Sequence, residues 1–152
     1  PRRSNLLFTG REDVLQRLKT QLIPGSSEKQ PMSIFQGIGG SGKSEMAIRF
    51  AEENKQGIVV SIHIFEYSDQ VMQFLGHIWI NVSSQVIAEQ SFADLAQAVG
   101  LSNTTVQHVV HWLSNLQRSW LLVLDNYDDK ETDISKFIPS SGGSIIITTR
   151  LA

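Results

Sequence analysis

Residues 37–44 read Gly-Ile-Gly-Gly-Ser-Gly-Lys-Ser, directly after a short apolar run, Met32-Ser33-Ile34-Phe35, that has the form of a buried strand. The spacing is G-x-x-x-x-G-K-S/T, the P-loop pattern, and it constrains the fold because it works only between a strand and the helix that follows. Its residue types answer what holding a triphosphate requires. Glycines let backbone amides close around phosphate oxygens in conformations that a side chain would block. Lys43 supplies a compact positive charge, Ser44 a hydroxyl for Mg²⁺, and the helix starting there turns its positive end to the anion. Gly37, Gly39, Gly40, Ser41, Gly42, Lys43, Ser44 and Glu45 form the candidate nucleotide-binding set. The plain alternative is a glycine-rich turn with no ligand, and four fixed positions between strand and helix argue against it.

A second feature completes the site. The apolar run Trp120-Leu121-Leu122-Val123-Leu124 ends at Asp125. A buried parallel strand delivers such a residue to the carboxyl edge of the sheet, where ligands of open α/β sheets bind. Mg²⁺ held by Ser44 needs a carboxylate nearby, so Asp125 is the candidate second metal residue. An aspartate after a strand is by itself usually a turn or cap residue; the pairing with the P-loop is what gives it this role.

The rest of the chain alternates helical and strand patterns. Thr9 with Glu12 reads as a cap for a helix carrying Val14, Leu15, Leu18 and Leu22, closed by the loop Pro24-Gly25-Ser26-Ser27. The helix after the P-loop buries Met46, Ala47, Phe50 and Ala51, and Ile78-Trp79-Ile80-Asn81-Val82 reads as a strand. Ser91 and Asp94 resemble a capping box for a helix carrying Phe92, Leu95 and Val99 and ended by Gly100. A further helix presents Val106, Val109, Val110 and Leu113. The turn 139–143 precedes a second continuous apolar run, Ile145-Ile146-Ile147-Thr148-Thr149. Runs without alternation imply strands covered on both faces. The expected fold is α/β, a three-layer P-loop NTPase fold with a mostly parallel central sheet flanked by helices.

Composition bounds the partners. With 152 residues and 41% hydrophobic content the chain can bury one core. A net charge of −2 without a basic stripe argues against direct nucleic-acid binding or a membrane surface. The absence of cysteine fits a reducing, cytoplasmic setting. No signal peptide or spanning stretch is visible, and the sequons at Asn81 and Asn103 read as chance matches. The chain opens at Pro1 and stops just after a strand-like run, which reads as a fragment.

In order along the chain, these residues resemble the STAND NTPases, specifically the NB-ARC type of NOD-like receptors and, by its wording, their fungal relatives. Leu7-Phe8-Thr9-Gly10-Arg11-Glu12 resembles the family's entry motif, Gly37 to Ser44 its P-loop, and Ile78-Trp79-Ile80-Asn81 its W-I-N strand. Leu121 to Asp129 is similar to its Walker B segment, and Phe137-Ile138-Pro139 with Gly143 to Arg150 to its sensor strand. The resemblance implies an ATP/ADP-binding signalling domain with slow Mg²⁺-dependent hydrolysis, working with other receptor domains and forming a homo-oligomer on activation. It implies that Phe8, Thr9 and Arg11 lie against the adenine and that Arg150 contacts the terminal phosphate. The candidate catalytic set is thus Lys43, Asp125, Asp128 and Arg150. No winged-helix or helical module follows Arg150, so the switch reads as incomplete.

Several residues carry plainer readings. Arg11 can be a solvated first-turn arginine, Trp79, Trp112 and Trp120 read as core, and His108 and His111 as surface residues lacking further metal ligands. Asp128, Asp129, Glu131 and Asp133 have the composition of a solvated acidic loop. Asn126 stands where many family members place a second acid, and an amide cannot serve as general base; Asp128 or Asp129 are the alternatives. A regulatory GTPase is disfavoured, because Asn54-Lys55-Gln56-Gly57 does not supply the Asn-Lys-x-Asp guanine reader. A non-hydrolysing nucleotide-binding module is the other function class. Residues 57–73 have no counterpart in the resemblance and read as an insertion. A retained intron is one account of them, and a genuine strand over 57–65, with its β-branched content, is the other.

Overall fold

The computed structural model describes residues 10–22, 30–54, 77–117 and 120–151. The adenine-side residues Phe8 and Thr9, the loop 24–27 and the insertion 57–73 lie outside them.

Four strands, β1 (Met32–Gln36), β2 (His77–Asn81), β3 (Leu121–Asp125) and β4 (Ser144–Thr149), form one sheet in the order β1-β4-β3-β2, every pairing parallel. The expected strands are present, and β3 and β4 are buried at every position. β1, expected as a buried strand, is half-exposed with Ile34 at 62%, because it ends the order of the described strands and pairs there with β4 alone. Their two faces divide cleanly, as the period of a strand dictates. Leu121, Val123 and Ile146 pack on one side with Leu15, Leu18 and Leu22 of α1 (Glu12–Leu22) and Met46, Ala47, Phe50 and Ala51 of α2 (Lys43–Glu53). Leu122, Leu124, Ile145 and Ile147 pack on the other with Phe92 and Leu95 of α3 (Gln85–Ala98) and Val109 and Leu113 of α4 (Val106–Ser114). The result is the expected three-layer α/β architecture.

A short 3-10 turn, Ile134–Phe137, closes the α3 side, its Phe137 stacked on Phe92 at 5.5 Å between ring centroids. Trp120 is buried at 1% exposure and its indole N–H donates to the Leu113 carbonyl at 3.0 Å, so this ring is core, as expected. Trp79 and Trp112 are half-buried against the two cores. Asn81 and Asn103 accept hydrogen bonds from the amides of Ser83 and Thr105, a local turn role that accounts for both asparagines.

Two helix starts differ from the sequence expectation. α1 begins at Glu12, its first carbonyl acceptor being Arg11, which holds a left-handed φ of 63°. α3 begins at Gln85, well before Ser91. Its cap is Ser84, which accepts from the Ile87 amide at 3.4 Å, while the Ser91 hydroxyl sits inside the helix and donates to the Ile87 carbonyl at 2.8 Å. The Ser91/Asp94 spacing mimicked a capping box, but Asp94 is occupied by Gln90 one turn earlier. The C-terminal reading holds: Val99 caps α3 and Gly100 follows at φ 75°. Ser84→Ala is therefore expected to cost about 1 kcal/mol, and Ser91→Ala less than about 0.5 kcal/mol. Equal losses for the two variants in urea unfolding would return the helix start to Ser91.

Candidate functional site

The sheet order places β4 between the strand that leads into the P-loop and the strand that ends at Asp125. The carboxyl ends of these three strands form the floor of the site, and residues 37–44 and 125–128 are its walls.

The P-loop has the backbone its glycines permit. Gly40 and Gly42 take φ of 77° and 83°, the left-handed region that glycine enters without steric cost. Space around the Gly40 Cβ position is open to 4 Å. Gly42 is also the N-cap of α2 and contributes no side-chain hydrogen bond, so the first-turn amides are left without a side-chain cap. Lys43 Nζ folds back across the loop and donates to the carbonyls of Gly37 at 2.6 Å and Ile38 at 2.9 Å, with Ser41 Oγ at 3.5 Å. The loop is anchored from below by the Gly37 amide on the Thr149 carbonyl at 3.2 Å.

Ser44 and Asp125, far apart in the chain, meet here: Ser44 Oγ donates to Asp125 Oδ1 at 2.7 Å. Asp125 is 1% exposed, and its Oδ1 also accepts from Thr148 Oγ1 at 2.5 Å. Because Ser44 uses its proton on Asp125, the lone pairs of its hydroxyl remain for a cation. An open cradle of amides, a lysine ammonium and a hydroxyl–carboxylate pair are the donor set that Mg²⁺ and a triphosphate require, so the residues fit the implied ligand.

The segment after β3 runs alongside the end of β4 and is laced to it. Asn126 N–H donates to Thr148 Oγ1 at 3.0 Å, Tyr127 N–H to the Thr148 carbonyl at 2.8 Å, and Thr149 Oγ1 to the Tyr127 carbonyl. The last link joins the two outer candidates: Asp128 accepts from the Arg150 backbone N–H and from its Nε, both at 2.6 Å. Asn126 adopts φ 64°, a conformation that asparagine tolerates better than most residues, and its side-chain amide lies 3.4 Å from Asp125 Oδ2.

Arg11 and Asp129 share no hydrogen bond with this centre among the described residues. Exposed Arg11 precedes α1, whose Glu12 binds Arg49 of α2 at 3.3 Å. Arg49 also donates to Glu53 at 2.7 Å, and that bond raises the guanidinium pKa. The acidic loop is more ordered than its composition implied. Asp129 accepts from the Glu131 amide and Thr132 Oγ1 at 3.0 and 2.9 Å, and Ser135 hydrogen bonds lower the Asp133 pKa. Among the described residues no group of three metal-ligating side chains gathers at His108 and His111 or elsewhere. Thr148 was not singled out by sequence reasoning. The available signal was a threonine pair closing a strand whose middle is three isoleucines.

No family model matches the chain, and no curated protein sequence matches it either. Among solved structures it is similar to Cdc6p from Pyrobaculum aerophilum, with a TM-score of 0.60 and 14% identity over 99% of this chain and 41% of that one. At that identity the likeness shows the fold: a parallel sheet flanked by helices, of the P-loop type. Among the described residues no helix is long and apolar enough to cross a membrane.

Proposed function

We propose that this chain is an ATP/ADP-binding domain whose nucleotide state, reset by slow Mg²⁺-dependent hydrolysis, acts as a signalling switch within a larger receptor of the NB-ARC type. The observation that carries the nucleotide reading is the Ser44–Asp125 hydrogen bond at 2.7 Å. It joins the end of the P-loop to the end of β3 at the one place where a metal–triphosphate complex needs both groups. Ser44 and Asp125 would hold Mg²⁺, Lys43 and the uncapped amides of α2 would take phosphate oxygens, and Arg150 would meet the terminal phosphate. Bound Mg²⁺ supplies positive charge against the triphosphate. The receptor role, assembly into homo-oligomers and adenine contact by Phe8, Thr9 and Arg11 rest on the motif order alone, and the cytoplasmic setting on the absence of cysteine.

Asp125→Ala is the test. It should weaken Mg²⁺-dependent ATP binding by about tenfold or more and leave metal-free ADP binding nearly unchanged. Equal losses with and without Mg²⁺ in calorimetric titrations would remove Asp125 from the metal site. Asp125→Asn preserves the shape that Ser44 and Thr148 pack against, and it covers the case in which alanine unfolds the chain.

The second reading, a nucleotide-binding module without hydrolysis, is favoured by one observation. Asp125, Asp128 and Asp129 all have their carboxylates engaged by protein donors. Steady-state phosphate release at saturating Mg²⁺ and ATP separates a slow turnover from none.

A further inference from the structure

We propose that Asp128 is a positioning residue that anchors Arg150 over the P-loop, and not an acid or base acting on water. The inference rests on the nucleotide reading above. Both oxygens of Asp128 are committed to one residue: Oδ1 accepts the Arg150 backbone N–H and Oδ2 accepts Nε, each at 2.6 Å. The carboxylate is the fixed member of the pair, since its side chain is 16% exposed against 62% for Arg150. It is fixed because Tyr127, its neighbour, is bonded to β4 through both its amide and its carbonyl. A proton acceptor for water needs a lone pair facing the reacting atoms, whereas these oxygens face an arginine.

The geometry also says where the arginine is aimed. Asp128 takes the Nε–H and leaves the two terminal nitrogens unused by other described residues. Arg150 Cδ and Nη1 lie 3.7 and 3.9 Å from the Cβ position over Gly39, inside the P-loop. A guanidinium held at its stem and backbone presents its remaining fork to an oxyanion with less freedom to lose on binding. The ligand chemistry that uses a second cation beyond Lys43 is the terminal phosphate of a nucleoside triphosphate, which a diphosphate lacks. Asp128 thereby sets the preference for ATP over ADP through Arg150.

The experiment measures dissociation constants for Mg·ATP and Mg·ADP, together with kcat, in wild type, Asp128→Ala, Asp128→Asn, Arg150→Ala and the Asp128→Ala/Arg150→Ala double variant. Arg150→Ala and Asp128→Ala should each lower the ATP-to-ADP affinity ratio by about tenfold, and the double variant should fall no further than Arg150→Ala alone. Asp128→Asn, which keeps the shape and one acceptor but loses the charge, should give an intermediate fall and covers an alanine variant that does not fold. A general base would behave otherwise, with kcat lost in Asp128→Asn, the affinity ratio unchanged, and the two alanine effects multiplying. That outcome overturns the inference while leaving nucleotide binding in place. Wild type that binds neither nucleotide overturns both.

Discussion

Lys43→Ala should bind Mg·ATP and Mg·ADP at least about a hundredfold more weakly than wild type, the largest binding effect expected of any single substitution. The ammonium is the one cation at the centre of the loop, and charged hydrogen bonds to phosphate contribute roughly 1.5–3 kcal/mol each. The effect is measurable as ligand-induced stabilisation. At about a hundred times the dissociation constant a ligand adds ~2.7 kcal/mol to the native state, roughly 5–11 °C for a chain of this size. In the variant the same ligand concentration should give about 2 °C or less. The comparison is between shifts, not between melting temperatures. The lysine also bridges the Gly37 and Ile38 carbonyls, so its removal alters the ligand-free loop as well. Identical shifts in both proteins would sink the assignment of residues 37–44 as a phosphate cradle.

Gly143→Ala should be the most damaging substitution for stability. A Cβ at this position would sit 1.9 Å from the Trp120 carbonyl oxygen and 2.5 Å from the indole ring. Neither neighbour can retreat. That carbonyl accepts the Ser144 amide at 2.8 Å, the first rung between β3 and β4, and the indole is pinned to Leu113. Relief requires parting the two most buried strands, for which we expect a loss of about 4 kcal/mol, or roughly 8–16 °C in Tm. Gly40→Ala provides the contrast, since its Cβ would meet nothing within 4 Å and only the backbone strain of φ 77° remains. A Gly143→Ala protein melting within about 2 °C of wild type would show that the approach of backbone to glycine is not a packing constraint.

Which parts could be read from the residues follows from the range of the interactions involved. β3 and β4 were legible because a buried parallel strand is an unbroken apolar run, and the P-loop and Asp125 because their chemistry is tied to fixed local spacing. β1 reads as buried from its apolar residues, yet it is half-exposed, with Ile34 at 62%. The start of α3 was not legible. Ser91 and Asp94 satisfy a local pattern, while the true cap, Ser84, has Ile87 where a capping box carries an acid, and Val86 and Ile87 are exposed apolar residues that blur the period. The partnership of Asp128 with Arg150 was out of reach for a different reason. Sequence named both residues and assigned them separate roles, but only the β3–β4 register brings residues 126–128 alongside 148–150. Gly143 was legible as part of a turn; the carbonyl that demands a glycine there belongs to Trp120, across the sheet.

The strand order has a temporal consequence. Among the described strands, β1 is paired with β4 alone, and β4 is the last to be made. A P-loop strand without its neighbour has an open row of amides and carbonyls and no floor beneath the loop. During synthesis the glycine-rich loop therefore emerges well before β4, yet it becomes a phosphate cradle only when that strand arrives, at the cost of closing the chain between Gln36 and Ser144 into a loop. The same arrival brings Thr148 to Asp125 and Arg150 to Asp128, so the cradle, the metal pair and the arginine anchor are completed in one event.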